Sequence, residues 1–155
     1  MTRRDEQLLG VAGAVVVGDD GSAEAGAAVT WAAQEARVRG VELVLLRAWS
    51  ITSAPRPDHW EPGFVPSEDE FADAVAAALR AGATARLGAD PGVELRVLPV
   101  HDTPERALAT ASREAALVVV GSHGRHRASA LLGSTSEHLL RHAHGPVVVV
   151  PTRDR

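Results

Sequence analysis

Gly121, Gly124 and Gly133, with Ser134 and Thr135 directly behind the third glycine, are the residues of this chain best suited to hold an anion. Four apolar residues, Leu117 to Val120, lead into the first glycine, and Ser136 to Leu140 reads as the start of a helix. A buried strand that empties into a glycine-rich loop and then a helix N-terminus is a phosphate-holding arrangement. Glycines let the backbone come close, and free amides together with the helix dipole favour negative charge. A second polar segment, Asp19-Asp20-Gly21-Ser22, follows another apolar run, Ala14 to Gly18. The two acids sit on extended chain, where neighbours point to opposite sides. Asp19 is therefore expected to face solvent while Asp20 faces a ligand.

Other chemistries are narrowed by composition. The chain has no cysteine, which excludes disulfides, thiolate metal sites and cysteine nucleophiles. It has no tyrosine, and its sixteen basic residues are all arginine, so no lysine can bind phosphate or form a Schiff base. The net charge is −4 and no basic run marks a face for nucleic acid. Histidines gather late, at His123, His126, His138, His142 and His144. His138 and His142 have zinc-like helical spacing, but no glutamate base or third ligand accompanies them, so surface histidines are the better reading. Ser134 beside His138 invites a nucleophile reading, yet helix capping explains a serine there. No catalytic residue and no metal cage is expected.

The positioning elements follow from periodicity and punctuation. Ala14 to Gly18 is a continuous apolar run, as in a strand covered on both faces, and Val41 to Trp49 is a second strand rich in valine and leucine. Between them, Ser22 caps a helix whose Ala25, Ala28, Val29, Ala32 and Ala36 share one side, and Gly40 ends it. Residues 50–66 form a proline-rich loop bearing Trp60, for which local packing is favoured over covering a pocket or partner. Ser67 to Glu70 is a capping box opening a helix to about Leu87. Val93 to Val100 alternates as a strand near a sheet edge would, and Thr103-Pro104-Glu105 starts the next helix, to about Glu114. Leu117 to Val120 is the fourth strand. Ser134 to Glu137 is read as another capping box, and Gly145-Pro146 separates its helix from a last strand, Val147 to Val150.

The N-terminal stretch has Arg3-Arg4 before an apolar segment, but Asp5 and Glu6 interrupt the basic region. It is expected to be a ragged tail over residues 1–13, preceding a single domain over 14–155. No stretch reaches a membrane-spanning length, and a cytoplasmic location is expected.

Five strands alternating with helices make a doubly wound α/β fold with a parallel sheet and helices on both faces. Ligands of such sheets bind outside the carboxyl ends of the strands, where strand order reverses. If the strands before Asp19 and Gly121 are neighbours, an acid for a ribose hydroxyl or an adenine edge and a phosphate loop share one crevice.

The segments Val17-Gly18-Asp19-Asp20-Gly21-Ser22, Leu45-Leu46-Arg47-Ala48, Gly121-Ser122-His123-Gly124…Gly133-Ser134 and Gly145 to Pro151 together resemble the universal stress protein family. The resemblance runs from Ala14 onward, outside the proline-rich loop. It implies a five-stranded Rossmann-like sheet of the HUP type, with order 3-2-1-4-5. It also implies ATP over the crevice; on general grounds a Mg²⁺ bridged through the phosphates is then expected. Carried across, Asp20 beside Gly18 meets ribose or adenine, Ala48 lines the adenine pocket, and Val120 and Gly121 lie beneath the ribose. Gly124, Gly133, Ser134 and Thr135 hold phosphates; apart from the resemblance, Arg125 and Arg127 are expected to add charge at that end. One departure stands out: eight residues, Arg125 to Leu132, separate the second and third glycines, one fewer than the family's usual spacing.

The all-valine last strand would be a bare edge in a lone monomer, so a homodimer paired through Val147–Val150 is expected. The resemblance implies the same. The functional expectation is an adenine-nucleotide-binding stress regulator in which ligand orders the Gly121–Thr135 loop. A slow ATPase and a nucleotide-free interaction module of the same fold remain the alternatives.

Overall fold

The structure is a computed structural model and describes residues 1–58, 60–123 and 132–152. Its elements run α1 (Arg3–Leu9), β1 (Val15–Gly18), α2 (Ala23–Arg39), β2 (Leu43–Trp49), α3 (Glu68–Leu87), β3 (Leu95–His101), α4 (Pro104–Ala111), β4 (Leu117–Gly121), α5 (Ser134–His142) and β5 (Val147–Val150). The strands form one parallel sheet in the order β3-β2-β1-β4-β5. β1 pairs with β2 on one side and β4 on the other, so strand order reverses between β1 and β4. That is the switch-point geometry.

Side-chain alternation along the strands supplies two apolar layers. Val15, Val17, Leu43, Leu45, Leu117 and Val119 pack with α2 and α3. Val16, Val44, Leu46, Val118 and Val120 pack beneath α4, with Leu139 of α5. All the named strand residues are buried, which is why β1 and β4 read as continuous apolar runs and β2 as one broken only by Arg47. β3, at one edge, is only half-buried over most of its length. α2 owes its inward stripe mainly to alanine, whose small side chain lets the helix lie close to the sheet. It starts at Ser22, whose hydroxyl accepts from the Ala25 amide, and ends at Gly40 in the left-handed conformation (φ 66°).

Two local expectations are corrected. The first thirteen residues are not ragged. α1 has its own capping box, in which Thr2 and Asp5 exchange hydrogen bonds. Those bonds, first from the Thr2 amide and then from its hydroxyl, hold the Asp5 carboxyl below its ordinary pKa. Leu8 and Val11 are each 1% exposed and join the layer under α4. A short helix and the turn after it bury one large side chain each there, which hydropathy read as a tail could not reveal. The second correction concerns α5. Its N-cap is Gly133, with no side-chain cap, and Ser134 is the first helical residue. Its hydroxyl donates elsewhere.

Among the described residues, no helix is long and apolar enough to cross a membrane.

Candidate functional site

A cavity of about 380 Å³ opens at the carboxyl ends of β1, β2 and β4. This is within the usual size range of small-molecule sites. Its walls combine Gly18, Asp19 and Asp20 after β1, Leu46 to Trp49 at the end of β2, and Val120, Gly121 and His123 after β4. Thr103 to Glu105 at the start of α4 and Gly133 to Ser136 at the start of α5 close it. The parallel sheet brings all these segments to one end.

Of the residues singled out from sequence, Gly18, Asp20, Ala48, Val120, Gly121, Gly133, Ser134 and Thr135 all line this cavity. Gly124 and Arg125 lie outside the described residues, as do His126 and Arg127. The two sides of that segment are held together by backbone: the Gly133 amide donates to the Ser122 carbonyl at 2.6 Å. Ser136 reinforces the join by donating its hydroxyl to the Gly121 carbonyl at 2.7 Å.

Asp19 does not face solvent. Its side chain is 1% exposed and lies between two guanidinium groups, 3.2 Å from Arg86 Nη1 and 3.7 Å from Arg47 Nη2. It also accepts from the Gly21 amide at 2.9 Å. Arg47 Nε donates to the Asp19 carbonyl and Arg86 Nη2 to the Ser22 carbonyl, at 2.8 and 2.9 Å. One carboxylate thus fastens β2 and α3 to the β1–α2 turn. The expectation of a solvent-facing Asp19 is corrected: an acid is tolerated inside because arginines from two other elements meet it there. A buried charge so paired and hydrogen-bonded is tolerable.

Asp20, half-buried, also lines the cavity wall. Its Oδ1 accepts from the Ser22 amide at 2.9 Å, an Asx turn that fixes the carboxylate. Gly21 (φ 83°) supplies the backbone conformation that a side-chain-bearing residue would resist.

Sequence reasoning missed Arg47, Thr103, Glu105 and Leu108 as cavity residues. An arginine inside the run Leu43 to Trp49 was a usable signal, since a charge on a buried strand needs a partner. Glu105 gave none beyond opening a helix. It accepts from both hydroxyls at the start of α5, Ser134 Oγ and Thr135 Oγ1, each at 3.2 Å. Trp49 packs between Phe71 and His101, with ring centroids 5.8 and 4.3 Å away. Trp60 is outside the cavity lining and lies under the Arg56 guanidinium at 5.5 Å. His138 and His142 bring their rings to 4.4 Å. Among the described residues, no group of three or more metal-binding side chains is present.

Chemically, the cavity offers an acid at one wall, apolar strand ends across its floor, and a helix N-terminus with two hydroxyls at the other. Comparison with known proteins bears on what such a site serves. The family model for the universal stress protein family matches residues 13–151. A universal stress protein of Mycobacterium tuberculosis (strain H37Rv) is 38% identical over 146 residues, covering 90% of this chain and 48% of the relative. Another from the same strain is 39% identical over 136 residues, covering 87% and 44%. The chain therefore spans about half the length of the curated relatives it matches. Among solved structures, a universal stress protein in complex with cAMP is 28% identical, with TM-score 0.63, over 89% of this chain and 95% of that one. A universal stress protein from Archaeoglobus fulgidus in complex with dAMP shares the fold, at 21% identity and TM-score 0.61, over 90% and 98%. Fold, strand order and family model agree: the chain belongs to the universal stress protein family.

Proposed function

We propose that this chain binds an adenine nucleotide in the cavity between β1 and β4 and acts as a regulator in a stress response. The observation that carries the reading is the joining of two separate signals in one cavity. Asp20 stands at the end of β1, and the α5 N-terminus with Ser134 and Thr135 stands across from it. Asp20 accepts from a ribose hydroxyl or adenine amine. Ala48, Leu46 and Val120 give the base an apolar bed, and the phosphates lie toward Gly133 and the first turn of α5. The neighbour whose structure contains cAMP, 28% identical over most of both chains, supports an adenine ligand.

ATP, with Mg²⁺ held mainly by its phosphates, is the fuller form of the proposal. So are a homodimer joined along β5, work in the cytoplasm, and Gly124, Arg125 and Arg127 as further phosphate contacts. The role we propose is binding rather than turnover.

The test is calorimetric titration of purified protein with ATP in Mg²⁺ and with AMP. Micromolar binding of either ligand, at one site per chain, is the expected result. Absence of heat, together with an unmoved melting temperature at millimolar ligand, overturns the proposal.

A further inference from the structure

We propose that Glu105 makes this cavity select against uncompensated phosphate charge, a reading that rests on the adenine-nucleotide site proposed above. Glu105 is in the first turn of α4, yet its carboxylate crosses to α5. There Oε1 accepts from Ser134 Oγ and from Thr135 Oγ1, both at 3.2 Å. These are the hydroxyls a ligand's phosphate would use, and they lie in the first turn of a nine-residue helix whose N-cap, Gly133, contributes no side chain. The position at which α5 favours an anion is therefore served by an anion belonging to the protein.

The rest of the lining points the same way. Among the described residues, the guanidinium of the cavity wall is that of Arg47. Arg47 is directed to Asp19, contacting both its backbone carbonyl and its carboxylate. A phosphate entering at α5 must take the hydroxyls from Glu105 and then lie beside its carboxylate. Like charges at such a distance disfavour one another, the more so in a half-enclosed site. Each additional unneutralised phosphate charge raises that cost. Adenosine does not meet it, and Mg²⁺ bound to the phosphates reduces it.

The measurement is the ratio of affinities for ATP and adenosine, both titrated without divalent metal in excess EDTA, in the wild type and in Glu105→Gln. Glutamine keeps the size of the side chain and an acceptor oxygen for the two hydroxyls while removing the charge. The ATP-to-adenosine affinity ratio is expected to rise about tenfold in the variant, the scale of one like-charge pair roughly 10 Å apart near a protein surface. An unchanged ratio in a variant that still takes up adenosine overturns this proposal and leaves the nucleotide site standing. Failure of both proteins to take up adenosine or ATP overturns the nucleotide reading and this proposal together. The wild type alone supplies a second criterion, independent of how well the variant folds: metal-free ATP binds no more tightly than adenosine. A wild-type preference of a hundredfold or so for metal-free ATP, roughly 2.7 kcal/mol, would contradict the proposal.

Discussion

Two adjacent aspartates at the end of β1 divide structural and ligand-facing work between them. Asp19 is buried against Arg86 and Arg47, whereas Asp20 stands on the cavity wall with its carboxylate fixed by the Ser22 amide. The two substitutions should behave differently. Asp19→Asn leaves two guanidinium groups facing an uncharged amide and weakens the tie between β2, α3 and the β1–α2 turn. It is expected to lower unfolding stability by about 3 kcal/mol, the scale for breaking a buried ion pair. Urea denaturation checks this, and a midpoint within error of the wild type would contradict the structural role. Sequence could single out the pair of acids, but not their division. That Asp19 is buried against arginine depends on Arg86, sixty-seven positions away, and no local pattern encodes that contact.

At the scale of elements, the termini show where local reading succeeds and where it stops. Ser67 with Glu70, Thr103 before Pro104, and Ser22 with Gly40 were legible because each cap is completed within a few residues. The same reasoning failed at α5. Ser134 has a capping residue's chemistry, but its hydroxyl goes to Glu105 on another helix. It failed again at α1, where value comes from docking rather than from the segment itself. Leu8→Ala is expected to cost about 2–5 kcal/mol, as for other large-to-small changes in a packed core. A thermal melt that leaves the protein unaltered would restore the tail reading. The strands were the most legible elements, since an unbroken apolar run such as Val15 to Val17 records burial on both faces.

The whole molecule is organised by one topological fact: β1 lies between β2 and β4, and the polar ends of β1 and β4 consequently meet. Composition and alternation indicated the fold class, but the strand order came from the resemblance, because spacing alone does not say which strands are neighbours. The pairing of the strands in the structure has that order. Its far edge, β5, is a short strand of four valines, all half-buried in the single chain. Such an edge invites a partner strand. Sedimentation at micromolar concentration is expected to give a species of twice the chain's 16.2 kDa, and a strictly monomeric protein would contradict pairing through β5.

The central claim, that this switch-point cavity is an adenine-nucleotide site, is tested most directly by titrating ATP with Mg²⁺ into the wild type and Asp20→Ala side by side. The account predicts micromolar binding at one site per chain, weakened about tenfold or more by losing the carboxylate's hydrogen bond to the ligand. Binding that Asp20→Ala leaves untouched would place the nucleotide elsewhere. No binding to the wild type would contradict the claim itself.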